Sequence, residues 1–311
     1  MPQPMLKIDQ LSKRFGDRQV LDRLCLKIQP GEIYGLLGAN GAGKTTLINI
    51  ICRLINGDQG QIEIDGLGTS PQTRALIGIA PQENLLYYSL SCRENLDFFA
   101  ALYGLQGKAK AQQIDYCLAA VNLADRATSL VGNLSGGMAR RLNMAIALIH
   151  SPKLVILDEP TTGLDIEARY EIWSLIQQLR DRGITLLLTT HLLEEAERLC
   201  QRIGILKQGR IVVEGDLAQL RQVIPAAEIL FMRTPQEPQA IAIAQRHNFT
   251  VKRYGQDLAF WLPEPKSMAE IIYLFAEITI DSLALQPVRL ENIYLEITGD
   301  TSYTSLANPK A

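Results

Sequence analysis

The stretch GANGAGKT, residues 38 to 45, has the G-x-x-x-x-G-K-[ST] spacing of a phosphate-binding loop. Gly41 and Gly43 free the backbone to wrap its amides around a β-phosphate at the positive end of the helix that follows. Lys44 reaches the β- and γ-phosphates, and the Thr45 hydroxyl is a ligand for magnesium. The apolar run Ile33 to Leu37 precedes the loop, and Leu47, Ile48, Ile51 and Leu54 recur behind it at helical spacing as far as Asn56-Gly57. The motif therefore sits in the strand, loop and helix that its chemistry requires, which an incidental glycine turn would lack.

Asp158 and Glu159 end a second apolar run, LVILDE, where a parallel sheet presents side chains to a ligand at its carboxyl edge. Asp158 would hold the magnesium shell, and Glu159 would orient or deprotonate the attacking water. Alone, two acids at a strand end read as solvated surface; the phosphate loop upstream gives them a task. Gln82, after LIGIAPQ, would reach both the magnesium shell and the water, and His191, closing TLLLTTH, would hydrogen-bond a γ-phosphate. Each by itself is an ordinary polar residue at the end of a strand.

A further device lies at NLSGG, residues 133 to 137. A serine hydroxyl, glycine amides and the start of a helix again make an anion site. Lys44 and its loop already surround one β-phosphate, so the second cradle most economically serves a nucleotide held by another copy of the chain.

These residues need a scaffold, and the hydrophobic pattern supplies one. Alternating runs over residues 6 to 35, with turns at Gly16-Asp17 and Pro30-Gly31, predict a small N-terminal antiparallel sheet. From about 84 to 150 the pattern is mainly helical, broken at Gly104 and Gly107, which predicts a helical insertion. KLVILDEP, a helix over 167 to 182, ITLLLTTH and the hairpin IGILKQGRIVVEG then alternate as a parallel α/β core demands. From about 221 the order becomes strand, helix, two strands, helix, strand (EILFMRT, FTVKRY, LAFWLP and SLALQP with helices near 238 to 247 and 267 to 278), consistent with a ferredoxin-like unit. The expected fold is thus α/β, a P-loop NTPase core with a parallel sheet, an antiparallel subdomain, a helical insertion and a small α+β domain. The expected boundaries are 1–220, 221–299 and a disordered tail at 300–311.

With GANGAGKTT, Gln82 in APQE, LSGGM, LVILDEP, TTGLD ending at Asp165, and His191 in that order, the chain resembles the ATP-binding cassette (ABC) family over residues 6 to about 218. The resemblance implies an ATPase using ATP and Mg2+. Gly38, Ala39, Asn40, Gly41, Ala42, Gly43, Lys44, Thr45 and Thr46 would cradle the phosphates, Thr45, Gln82 and Asp158 would hold the metal, and Glu159, His191, Gln82 and Lys44 would serve hydrolysis. It also implies a head-to-tail homodimer in which Ser135, Gly136 and Gly137 of one copy complete the γ-phosphate site of the other, with Asp165 at the seam and Phe15 stacked on adenine. Met138 stands where the family most often has glutamine; SGGMxRRL and the C-terminal RLENIYLEITG are similar to a branch of exporters of drugs, sodium, lipids or polysaccharides. Neither Met138 nor TTGLD in place of a serine-containing turn removes a γ-phosphate contact.

Bulk composition narrows the partners. The 311 residues are 47% apolar and 21% charged with a formal net charge of −2, so no basic field recruits nucleic acid. No stretch reaches the roughly 18 uncharged apolar residues of a membrane span, and no secretory leader pattern opens the chain. The expectation is a peripheral protein at the cytoplasmic face of the cell membrane, held there by separate permease subunits. Leu85, Leu86, Tyr87, Tyr88 and Leu90 form a candidate docking cluster, with core packing as the competing explanation. Cys25, Cys52, Cys92, Cys117 and Cys200 fit neither a CxxC nor a Cys/His ligand pattern and read as buried thiols in a reducing compartment. Cassette ATPases working on ribosomes or DNA carry paired cassettes, coiled coils or basic surfaces, and none of these is written here; a small-molecule kinase would leave LSGG and Asp165 without a purpose.

Overall fold

The computed structural model describes residues 3–299. The tail expected to be disordered lies outside them. The chain divides into two compact units, Met1–Asp216 and Leu217–Ala311.

In the first unit β1 (Leu6–Phe15) and β2 (Arg18–Ile28) form a hairpin, β3 (Ile33–Leu37) leads into α1 (Lys44–Ile51), and β4 (Gln59–Ile64) and β5 (Leu67–Gly68) return to the hairpin. The resulting antiparallel sheet has the order β2-β1-β4-β5. The helix α1 stops at Ile51, a turn earlier than the apolar spacing out to Leu54 predicts, and Leu54 is exposed.

The chain continues through α2 (Pro71–Arg74), β6 (Ile77–Ala80) and three helices of the insertion, α3 (Cys92–Leu102), α4 (Gly107–Ala120) and α5 (Gly136–Leu148). It then alternates β7 (Leu154–Asp158), α6 (Ile166–Asp181), β8 (Thr185–Thr190), α7 (Leu193–Leu199), β9 (Arg202–Lys207) and β10 (Arg210–Gly215). The central sheet runs β10-β9-β3-β8-β7-β6, with every neighbouring pair parallel except the β9–β10 hairpin.

Burial on both faces explains why its inner strands read as unbroken apolar runs. The pleat sends Leu154 and Ile156 to the core shared with β1, β2 and α1, and Val155 and Leu157 to the core shared with α3 to α6. Because β3, β6, β7 and β8 are parallel, the loops that follow them emerge at one edge. That edge gathers the phosphate loop, Gln82, Asp158-Glu159 and His191.

The second unit contains α8 (Leu217–Arg221), β11 (Glu228–Arg233), α9 (Glu237–Arg246), β12 (Thr250–Tyr254), β13 (Asp257–Leu262), α10 (Met268–Leu274), β14 (Ser282–Pro287) and α11 (Leu290–Thr298). Its antiparallel sheet, β12-β13-β11-β14, has the ferredoxin-like order. Leu230, Met232, Leu258, Phe260 and Leu262 face α9 and α10, with Phe260 stacked on Phe275 at 5.6 Å. The α10 helix is shorter than expected and opens with a Ser267–Glu270 capping box.

Cys52 and Cys200 are half-buried, and Cys25 departs furthest from expectation. Cys25 is exposed, because alternation along β2 turns it to the outer face, where the Gln10 side-chain amide donates to its Sγ at 3.2 Å. Cys92 and Cys117 are buried, and burial pushes the Cys117 thiol up to about 12.

Candidate functional site: a nucleotide cradle at the sheet edge

A cavity of about 370 Å³ opens at the carboxyl edge of the central sheet. Phe15, Ala39, Asn40, Gly41, Gly43, Lys44, Thr45, Thr46, Gln82, Asp158 and Glu159 line it, together with Arg18 and Val20. Gly38 and Ala42, also expected there, are not on its wall. A larger cavity of about 620 Å³ near Arg53 and β4 gathers none of the residues singled out for chemistry, so its size alone assigns it nothing.

The loop requires glycine for steric reasons. Gly43 has φ +113°, and a Cβ there would meet Leu21 Cδ2 at 2.9 Å and the Val20 carbonyl oxygen at 3.0 Å. A Cβ on Gly38 would lie 2.8 Å from the Leu206 carbonyl oxygen. The N-terminus of α1 has no side-chain cap, so its first amides are left for a ligand.

Lys44 is buried and donates to the carbonyl oxygens of Gly38 at 2.6 Å and Ala39 at 3.4 Å, with its Nζ 3.9 Å from Glu159 Oε1. Burial lowers its pKa, against the pull of the Glu159 and Asp158 carboxylates. The arrangement stocks positive charge on the cavity wall for an anionic ligand.

Glu159 is 9% exposed and adopts φ +47°, a left-handed conformation uncommon for a non-glycine residue. Its amide donates to the Thr189 carbonyl oxygen at 3.0 Å and to Thr189 Oγ1 at 3.3 Å. Its Oε2 accepts from Thr162 Oγ1 at 3.0 Å and lies 3.0 Å from His191 Nδ1. Thr189 Oγ1 in turn donates to Asp158 Oδ1. The parallel register that sets Asp158 opposite Thr189 brings the ends of β7 and β8 together in this network. His191 is not on the cavity wall and meets the site through Glu159.

Ser135, Gly136, Gly137 and Asp165 do not line the cavity. Ser135 caps α5 by accepting from the Met138 amide at 3.2 Å, so its hydroxyl hydrogen is left to donate elsewhere. A Cβ on Gly137 would lie 2.8 Å from Ala168 Cβ, which is why the start of α5 can approach α6. Asp165 caps α6 through the Ala168 amide at 2.8 Å. In the candidate docking cluster, Leu85, Tyr87 and Tyr88 are exposed and Tyr87 meets Phe98 edge-on at 4.9 Å. Leu86 is instead buried and belongs to the core.

Residues 21–162 match the ABC transporter family. The Nod factor export ATP-binding protein I of Burkholderia pseudomallei (strain 1710b) is 36% identical over 308 residues, covering 94% of this chain and 97% of that one. The chain belongs to the ABC transporter ATP-binding family. The linearmycin resistance ATP-binding protein LnrL of Bacillus subtilis (strain 168) is 35% identical over 312 residues, covering 96% and 99% of the two chains. Among solved structures, a dimeric post-hydrolysis ATP-binding cassette bound to ADP and Pi is similar with a TM-score of 0.61 and 27% identity, over 68% of this chain and 99% of that one. This ABC protein is the ATP-binding, ATP-hydrolysing subunit of a transporter, on a P-loop NTPase fold. No helix among its described residues is long and apolar enough to cross a membrane.

Sequence reasoning missed the shell behind the ABC cradle. Glu195 is fully buried and accepts from Thr161 Oγ1 at 2.7 Å and Trp173 Nε1 at 2.9 Å. Arg140 is 4% exposed, and burial lowers its pKa to about 10 against the pull of Asp158 and Glu195. The signal was two arginines inside MARRLNMAIAL, a helix buried on nearly every side, where any charge has to find internal partners.

Proposed function

We propose that this ABC ATPase works as a head-to-tail homodimer that powers an exporter through separate membrane subunits. The observation that carries the dimer is a division of labour. The cavity holds a full set of groups for one nucleotide, while the exposed Ser135-Gly136 turn is a second anion site outside it. A symmetric pair gives that turn a γ-phosphate to complete. Export is supported by the name of one relative, the Nod factor export ATP-binding protein I, and cargo selection is delegated to the membrane chains. We assign residues 1–220 to the ATP-binding domain and 221–299 to an accessory domain.

Within the site, Phe15 stacks on adenine and the amides of residues 38–46 hold the phosphates. Lys44 exchanges its carbonyl partners for β- and γ-phosphate oxygens. Thr45, Gln82 and Asp158 would hold Mg2+, which supplies charge neutralisation on the phosphates. No cluster of three or more His, Cys, Asp or Glu among the described residues forms a metal cage, so a hydroxyl, an amide and one carboxylate fit a metal shared with the nucleotide. Glu159 takes the proton of the attacking water or orients it, held by Thr162 and His191. With Nδ1 beside the Glu159 carboxylate, His191 would donate to the γ-phosphate from Nε2 as the imidazolium, the form in which both ring nitrogens carry a hydrogen. Closure of the dimer gives ATP a different affinity for open and closed states, which is the work available to move the membrane subunits. Leu85, Tyr87 and Tyr88 offer those subunits an apolar seat at the peripheral, cytoplasmic face of the membrane.

The test is trans-complementation. Ser135→Arg and Lys44→Ala chains are each inactive alone, but their heterodimer contains one intact site. Random mixing is expected to recover up to about a quarter of parental ATPase activity; recovery of nothing above either chain alone would overturn the shared site. Glu159→Gln protein captured from solubilised membranes with MgATP should bring a multi-span protein in equal amount.

A further inference from the structure

The guanidinium of Arg140, on the signature helix α5, reaches two separate pieces of backbone. Its Nη1 donates to the Pro81 carbonyl oxygen and, at 3.2 Å, to the Gln82 carbonyl oxygen. Its Nη2 donates to the Asp158 carbonyl oxygen at 2.7 Å, and its Nε donates to that of Pro160 at 2.9 Å. Asn143, one turn further along α5, adds an amide to the Pro81 carbonyl oxygen at 3.2 Å. Among the described residues no carboxylate is hydrogen-bonded to Arg140; its hydrogen bonds go to neutral oxygens, while the carboxylates of Asp158 and Glu195 act on its charge from further away. A planar five-donor fork meets such a spread of acceptors, whereas a point-charge ammonium does not.

These carbonyls belong to the segments that carry Gln82, Asp158 and Glu159, and Ser135 lies less than two turns before Arg140 at the start of the same helix. We propose that Arg140 is a positioning residue that makes Gln82 and the Asp158–Pro160 turn of one subunit follow the helix whose Ser135 engages the partner's nucleotide. The two ATP sites of the dimer are thereby coupled through a buried bolt. Arg140 touches no nucleotide: it is absent from the cavity wall. A shift of α5 on engagement of Ser135 is passed to the backbone of both loops, because one guanidinium that is itself 4% exposed holds four carbonyl groups, the Nε bond to Pro160 buried and the other three part-buried. Glu195 backs the same turn from the other side by accepting from Thr161.

This inference rests on the head-to-tail dimer, and the test separates the two. In the Ser135→Arg plus Lys44→Ala mixture, the single intact site uses Lys44 of the first chain and Ser135 of the second. Arg140→Met is introduced into one chain or the other. Placed in the chain that keeps Lys44, it is expected to lower the recovered turnover more than tenfold, with ATP affinity changed less than about threefold. Placed in the chain that only lends Ser135, it is expected to lower turnover less than about twofold. Equal losses in the two placements, or no loss in either, overturn the proposal: the first would mean that Arg140 merely supports α5, the second that it holds nothing of consequence. Absence of activity in the mixture before Arg140 is touched would refute the dimer instead. Arg140→Lys keeps a buried cation and serves the same comparison if the methionine variant misfolds; it should show the same asymmetry with a smaller loss. In the intact homodimer, Arg140→Met should also bring the Hill coefficient for ATP towards 1.

Discussion

The two units of this ABC ATPase are built on different economies of polarity. At the sheet edge of the first, Lys44, Glu159, Thr161, Thr189, Arg140 and Glu195 are all buried, and Glu159 is held in a left-handed conformation. The core of the second is nearly all hydrocarbon: Leu230, Met232, Phe260, Ile271 and Phe275 fill the space between sheet and helices. Buried charge is costly unless partnered, and Lys44, Glu159 and Arg140 are buried in or just behind the proposed nucleotide cavity.

The contrast can be broken or sharpened by substitution. Glu159→Gln keeps the shape of the side chain and removes its basicity, so ATP turnover should fall about three orders of magnitude while ATP binding persists. Phosphate release and equilibrium binding measure the two, and retention of more than a tenth of the activity would erase the special role of this buried acid. Phe260→Ala should lower the stability of the second unit by about 3 to 4 kcal/mol in chemical denaturation, with ATP affinity unchanged. A parallel loss of ATP affinity would show that the two units are not energetically separate.

Phe15→Ala is expected to weaken ATP binding about tenfold, the loss of one aromatic platform under the base, with turnover at saturation nearly constant. Phe15 is half exposed, so its removal should leave melting temperature almost unmoved.

The smallest effect concerns pH. Burial lowers the pKa of His150 from its ordinary 6.5, partly resisted by the hydrogen bond to the Ile77 carbonyl oxygen. A depressed folded value means that the unfolded chain takes up the proton first. The stability this neutral imidazole supports is present above 6.5 and is lost as pH falls through the lowered value. His150→Gln should flatten the decline of melting temperature between pH 7 and pH 5; an unchanged slope would remove His150 from the acid sensitivity of the first unit.

The phosphate loop was legible because its whole device is local: eight consecutive residues, a strand before and a helix after. The order of elements in the second unit was legible from alternation and helical spacing. Phe15 was different, since a lone aromatic at a hairpin end carries no local signature and became visible only through family resemblance. Cys25 was misjudged, and Leu86 fell to the core-packing explanation while its neighbours did not, for one reason: a run of apolar neighbours does not say which side of a turn or strand faces water.

By itself the sequence determined that a phosphate-loop pattern stands at residues 38–45, that acids follow the LVIL strand, and that a Ser-Gly-Gly turn precedes a helix at Ser135. Covalent neighbours and short-range periodicity carry that information. Only the tertiary structure decided that His191 meets Glu159, that Thr189 ties Asp158 to the next strand, and that Arg140 grips the loops after β6 and β7. Those contacts depend on which strands lie side by side and on carbonyl groups that every residue possesses, so no residue type in the chain announces them.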